Sequence, residues 1–247
     1  MTFFELWNLG VLFRTTPEAR TTGELALIIV GVVFTIIASY LLGSINLSII
    51  ISSKFYNDDI RLHGSGNAGM TNVMRTYGKK MAVITFAGDF FKAVVASLIG
   101  RMLLGYIGAY IAGLFCFLGH IFPCFYKFKG GKGVVTACGM ILMTNPVAFV
   151  ILFTLFVLLV AVFKYISLGS VVCLLAYPLV LDRVSGGGGA GGLGTLIAFL
   201  MGVLCAFAHR GNIKRIMNGT ERKFTFKVKH KKTLKELEES EDDVEEA

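Results

Sequence analysis

Thirteen residues, His63-Gly64-Ser65-Gly66-Asn67-Ala68-Gly69-Met70-Thr71-Asn72-Val73-Met74-Arg75, gather glycine, hydroxyl, amide and guanidinium groups between two long apolar runs. Glycine lets the backbone turn with positive φ and lets other groups approach closely. The amides, hydroxyls and guanidinium supply hydrogen-bond donors. Such a mixture suits an anion, phosphate above all. Gly64-x-Gly66-x-x-Gly69 also matches the letters of a dinucleotide fingerprint, but that fingerprint needs a preceding strand inside a βαβ unit. Here the flanks are membrane-length apolar segments.

Two further clusters have the same character. Gly119-His120-Ile121-Phe122-Pro123-Cys124-Phe125-Tyr126-Lys127-Phe128-Lys129-Gly130-Gly131-Lys132-Gly133 ends in a lysine flanked by glycines. It is not a Walker A loop: Tyr126 stands where that motif needs its first glycine, and Gly133 where it needs Ser or Thr. The physical reading is narrower. Flexible backbone, the Lys132 charge and a helix predicted to start at Val134 together favour an anion. Lys127 and Lys129 read equally well as juxtamembrane cations. His209-Arg210-Gly211-Asn212-Ile213-Lys214-Arg215-Ile216-Met217-Asn218-Gly219-Thr220-Glu221 is the third cluster.

The elements that must position these clusters are helices in a membrane. The chain of 247 residues is 55% hydrophobic and 16% charged, with a mean hydropathy of +0.70. A soluble domain carries about 25% charge. Apolar runs fall at about 25–51, 81–104, 107–122, 134–144, 146–163, 166–181 and 195–208. Their length and continuity select α-helices over a closed barrel. Asn145-Pro146 is a turn signal that divides the stretch 134–163 into two helices. With seven spans and the N-terminus outside, 19 of the 24 Lys and Arg residues fall in inner segments and four in outer ones. The expectation is an all-α polytopic protein with seven transmembrane helices, N-terminus outside and C-terminus cytoplasmic. All three polar clusters then share the inner face.

The remaining features have plainer readings. Residues 1–24 are an N-terminal extension, too mixed for a secretory signal and suited to an interfacial anchor. Residues 25–223 form the membrane domain. Residues 182–194 read as a glycine linker. Residues 224–247 are a charged tail, half of the chain's 16 acids lying in 236–246, and the acidic end is expected to be disordered. The five cysteines read as small buried hydrophobes. Asp89 and Lys92, one turn apart within a span, are expected to pair as structure.

The three clusters carry a resemblance. GSGNAGMTNVMR, GHIFPCFYKFKGGKG and HRGNIKRIMNGTE are similar, in order, to the three signatures of the bacterial acyl-phosphate-dependent glycerol-3-phosphate acyltransferases. Asp59-Ile60-Arg61 is similar as well, and the likeness covers roughly 38–223. Two positions depart from the family's usual pattern: Asn46 stands where proline is usual and Ala93 where glycine is. The resemblance implies an integral enzyme of the bacterial cell membrane, its active site facing the cytoplasm. It would transfer an acyl group from acyl phosphate to glycerol 3-phosphate, giving 1-acyl-glycerol 3-phosphate and phosphate as the first step of phospholipid synthesis. The HxxxxD box of other glycerolipid acyltransferases is absent, since Ala68, Phe125, Lys214 and Lys235 stand five residues after the four histidines.

By motif, the resemblance gives Ser65, Thr71, Asn72 and Arg75 the task of holding phosphate and the reacting carbonyl, with Gly64, Gly66 and Asn67 around them. Lys132 and the backbone of Gly130, Gly131 and Gly133 would bind glycerol 3-phosphate, with Lys129 nearby. His209 and Asn212 would line the reaction centre beside Arg215. Glu221, His120, Asp89 and Lys92 would be supports. Direct attack by the acceptor hydroxyl is expected, with either His209 or a substrate phosphate as base. No cofactor or metal, no nucleic acid and no obligate protein partner is expected; membrane lipids are. The rival readings are a transporter for an organic phosphate, which would need internal repeats and midplane broken helices, and a metal-dependent phosphotransferase, which would need clustered carboxylates.

Overall fold

The computed structural model describes residues 10–13, 21–185 and 191–225. The tail beyond 225 and most of the N-terminal extension lie outside the described residues, as does the middle of the glycine stretch 182–194. All regular structure among the described residues is helical, as the apolar runs predict.

The first helix, α1 (Thr22–Ser44), opens on a capping box in which Thr21 and Glu24 satisfy each other's backbone N–H groups. It stops at Ile45. Asn46 then caps α2 (Leu47–Tyr56), its Oδ1 accepting from the Ile49 N–H at 3.2 Å. The single apolar run 25–51 is therefore two helices. A loop carrying the first cluster leads to the short amphipathic α3 (Met70–Tyr77).

Next comes α4 (Lys79–Ile121), which folds into two arms at Gly105 (φ 64°, ψ −150°), a conformation open to glycine. The arms touch backbone to backbone: a Cβ at Gly100 would lie 2.2 Å from the Gly108 carbonyl oxygen. The second arm packs as closely on α1, where a Cβ at Gly43 would lie 2.1 Å from the Cys116 oxygen and one at Gly119 2.3 Å from that of Tyr40. In lipid, where apolar surface gains nothing by leaving its solvent, such small-residue contacts hold helices together through close packing.

After the second cluster come α5 (Val134–Thr144) and α6 (Pro146–Phe163), divided at Asn145-Pro146 as the turn signal predicts. They are followed by α7 (Ile166–Val184), α8 (Gly191–Ala208) and α9 (Arg210–Met217). The α8–α9 junction bends by 60° at His209. By length and apolar composition, four described helical stretches can cross a membrane, or five if the bent α8–α9 pair is one span. The seven apolar runs do not map one to one onto these stretches. The runs 81–104 and 107–122 are the two arms of α4, either side of Gly105, and α5, with 11 residues or about 16 Å, is shorter than a core of about 30 Å.

Candidate active site

The three clusters meet around one cavity of about 570 Å³. Its polar mouth includes Ser65, Thr71, Arg75, Lys132, His209, Asn212, Arg215 and Glu221. Its depth is apolar, walled by α5, α6 and α7.

Two helices begin at this mouth. Gly69 precedes α3 and Gly133 precedes α5, and neither position carries a capping side chain. The opening N–H groups of Met70 and Thr71, and of Val134 and Val135, therefore have no hydrogen-bond partner among the described residues, and all four residues line the cavity. Unpaired N–H groups at a helix start form an anion site. Arg75 and Arg222 add charge at the rim, and among the described residues neither forms an ion pair with a carboxylate. Burial most of all, with Arg222 and Arg215 adding to it and Glu221 opposing it, lowers the Arg75 pKa from its ordinary value.

A hydrogen-bonded chain ties the second cluster to the third. Lys132 Nζ donates to Asn212 Oδ1. Asn212 Nδ2 donates to Glu221 Oε1 at 2.6 Å, an oxygen that also accepts from Ser167 Oγ at 2.8 Å. The other Glu221 oxygen accepts from Arg215 Nε at 2.7 Å. Burial favours the neutral acid, yet the bonds from Asn212, Arg215 and Ser167 outweigh it and hold Glu221 below its ordinary pKa. Burial pushes the Lys132 ammonium down to about 8, against the opposing pull of Glu221. His209 Nδ1 lies 2.9 Å from the Cys205 carbonyl. The carbonyl can only accept, so Nδ1 carries the proton and Nε2 keeps its lone pair.

Asn72 is 1% exposed. Its Nδ2 donates to the carbonyls of His63 (2.9 Å) and Ile60 (3.1 Å), and its Oδ1 accepts from the Ser65 N–H at 3.0 Å. Its amide shapes the loop, where a phosphate contact was expected. The glycines differ from expectation too. Gly130 and Gly131 N–H groups donate to the Ile121 and His120 carbonyls, and Gly66 N–H to that of His63. Those three glycines and Lys129 are not among the cavity-lining residues, whereas Gly64, Asn67 and Gly133 are. The close approach that glycine permits is used inside the protein: a Cβ at Gly131 would sit 2.1 Å from His120 Nε2 and 2.6 Å from the Ala68 oxygen.

The expected Asp89–Lys92 pair forms at 2.8 Å. Lys92 Nζ also donates to the Gly43 and Ile45 carbonyls and lies 3.0 Å from His120 Nδ1. This buried group joins the end of α1 to the loop bearing Lys132.

A model of the glycerol-3-phosphate acyltransferase family matches residues 33–219. The chain belongs to that family. It is 43% identical over 202 residues to the glycerol-3-phosphate acyltransferase of Finegoldia magna, covering 81% of this chain and 96% of that one. It is 40% identical over 193 residues to that of Clostridioides difficile, covering 76% and 92%. The crystal structure of PlsY (YgiH), an integral membrane glycerol 3-phosphate acyltransferase, in its glycerol 3-phosphate form superposes with a TM-score of 0.73 at 35% identity over 78% of this chain and 96% of that one. The lysophosphatidic acid form gives 0.71 at 34% identity over 79% and 96%.

Within this acyltransferase, side chains outside the three signatures matter to the site. Arg61 pairs with Asp59 at 2.8 Å and reaches the carbonyls of Tyr126 (3.1 Å) and Lys129 (3.3 Å), stapling the first loop to the second. Ser167 starts the α7 wall and holds Glu221. Asn46 Nδ2 donates to the Ala68 carbonyl at 3.3 Å, so the first departure from the family's usual residue ties the α1–α2 break to the first loop. Ala93, the second, is fully buried against Gly139 of α5, where an added Cβ would meet its methyl at 3.1 Å. For Arg61 the sequence signal was its place in Asp59-Ile60-Arg61; Ser167 had none.

Proposed function

We propose that this chain transfers an acyl group from an acyl phosphate to glycerol 3-phosphate, giving 1-acyl-glycerol 3-phosphate (lysophosphatidic acid) and inorganic phosphate. Both substrates carry a phosphate, and the observation that carries the reading is the pair of open helix starts, α3 and α5, facing one cavity whose depth is apolar. Two anion sites beside a lipid pocket match two phosphorylated substrates, one of them acylated. The donor phosphate is assigned to the α3 start with Ser65, Thr71 and Arg75, and glycerol 3-phosphate to Lys132 and the α5 start.

Chemically, the acceptor hydroxyl attacks the acyl carbonyl, the acyl–phosphate bond breaks, and inorganic phosphate departs with the bonding pair. Donors fixed before the reaction stabilise the oxyanion and the departing phosphate. The hydroxyl proton goes to the His209 Nε2 lone pair or to the acceptor's own phosphate, whose second pKa is about 6. The Ser65 hydroxyl has no hydrogen-bonded base among the described residues, which favours donation over attack. The acyl chain lies along α5, α6 and α7 and opens towards lipid. The proposed topology has seven crossings, N-terminus outside and C-terminus inside, in a bacterial cell membrane with the site at the cytoplasmic face.

The test supplies purified protein with acyl phosphate and glycerol 3-phosphate in the presence of EDTA. Lysophosphatidate is the expected product. No acylation, with labelled glycerol 3-phosphate accumulating in sealed vesicles, would show an organic-phosphate transporter.

A further inference from the structure

The apolar part of the cavity has a floor. The α5 wall contributes Val134, Cys138 and Ile141, and the α7 wall Ser170, Cys173 and Leu174. Ile141 and Leu174, each 4% exposed, are the lining residues furthest from the mouth on α5 and α7, and Phe149, about one turn past Leu152 towards the Asn145 turn, is the furthest on α6. Beyond them the space is filled. Tyr177, one turn past Leu174, is fully buried with its hydroxyl towards Met140 Sδ, and Ala148 is fully buried beside Leu152.

Two walls give the depth independently. From Gly133 at the anion site to Ile141 along α5, eight residues rise about 12 Å. From Ser167, bonded to Glu221, to Leu174 along α7, seven residues rise about 10 Å. A saturated chain built from C–C bonds of about 1.5 Å advances roughly 1.25 Å per carbon, so about eight to ten carbons fit between the polar mouth and the floor. The side of the cavity is less closed. Phe153 on α6 is 52% exposed and Phe86 on α4 is 40% exposed, and both line it.

We propose that Ile141, Phe149 and Leu174 make this cavity a gauge for only the first eight to ten carbons of the acyl donor, longer chains leaving for the bilayer between Phe86 and Phe153. This rests on the acyl-transfer reading above. Within the gauge each carbon gains packed contacts; beyond it, a carbon exchanges one lipid environment for another and gains nothing. The enzyme therefore distinguishes short chains from medium ones and treats medium and long chains alike.

The experiment uses the full chain in nanodiscs. Acyl phosphates of six, eight, ten, twelve and sixteen carbons compete pairwise, the bilayer concentration of each being measured, so that kcat/KM ratios are read directly. The wild type is expected to gain from six to ten carbons and to stay level, within roughly twofold, from twelve to sixteen. Leu174→Phe fills the floor and is expected to lower ten-carbon against six-carbon donor by about fivefold or more. Leu196→Phe, on an exposed position of α8 outside the cavity lining, is expected to keep the wild-type profile. A Leu174→Phe profile that superposes on the wild type, or a wild-type profile that climbs steadily to sixteen carbons, would overturn the gauge while leaving acyl transfer standing. No transfer from any acyl phosphate would remove the donor assignment and the gauge with it.

Discussion

Lys132 and Asn212, 80 residues apart, share a hydrogen bond from ammonium to amide oxygen across the cavity mouth. This one contact joins the second and third polar clusters and holds the Lys132 charge beside the open start of α5. Its consequence is a pH dependence. The pKa of Lys132 is pushed down to about 8, so the empty enzyme loses that charge as pH rises through 8, well below the ordinary lysine range. Phosphate binding favours the charged form. The KM for glycerol 3-phosphate is expected to rise on the alkaline side, approaching tenfold per pH unit. Lys132→Arg, charged at every accessible pH, is expected to flatten that limb while lowering kcat. Steady-state kinetics between pH 6.5 and 9.5 check both.

Glu221 gathers three donors at once. Its pKa is lowered by folding, so its contribution to stability is present above the ordinary carboxylate pKa and fades as pH falls through the lowered one. Glu221→Gln keeps the shape and removes the charge. It is expected to reduce kcat/KM by roughly 10- to 100-fold, through loose placement of Asn212 and Arg215. The wild type's thermal stability is expected to fall on acidification from pH 5, and the variant's to fall less over the same window. Melting curves in a fixed detergent provide the comparison.

Gly131 and Gly211 make an informative pair. A Cβ at Gly131 would press on His120 Nε2 at 2.1 Å, whereas one at Gly211 would meet only the Arg215 side chain at 3.6 Å, an ordinary contact. Gly131→Ala is expected to cut turnover by about 100-fold or more as the Lys132 loop is displaced. Gly211→Ala should retain activity within about threefold and melt no lower.

Asn72→Ala would leave the Ser65 N–H without its acceptor and take one of two donors from each of the Ile60 and His63 carbonyls. The expected loss is about 1–3 kcal/mol of stability, with disordering of the Ser65 loop and a fall in kcat. Hydrogen exchange at residues 63–69 would rise in the variant; unchanged protection there would mean that the amide does not shape the loop.

Ser65→Ala separates donation from attack. If the hydroxyl donates, turnover falls by about 10- to 100-fold and residual activity stays measurable. Intact mass spectrometry of the wild type with acyl phosphate alone should then show no acylated protein. An acyl adduct on Ser65 would establish a covalent route.

Much of this architecture is legible in the residues. Glycine, hydroxyl and cation types at three places, with arginine and lysine counted on each side, suffice to bring Ser65, Lys132 and His209 to one face. Asp89 and Lys92 are predictable because a helix brings i and i+3 together. What the sequence does not display are contacts that only tertiary packing creates. Gly130 and Gly131 look like anion donors until their N–H groups are seen bound to Ile121 and His120. Asp59-Ile60-Arg61 marks Arg61 in the sequence but does not show that its guanidinium reaches carbonyls 65 and 68 residues away. The apolar runs place the break at Gly105 and the end of α5 at Thr144, but the single run 25–51 does not show that α1 stops at Ser44 and a second helix starts at Leu47.

The crowding of Arg75, Lys132, Arg215 and Arg222 around Glu221 also bears on the order of events in a turnover. The resting mouth holds excess positive charge, so the first phosphate to arrive meets the strongest attraction and the second a partly discharged site. The same asymmetry runs in reverse at release, when the last anion departs against the full field. Inorganic phosphate should therefore act as a brake at low ionic strength, and added salt should ease it by screening that field.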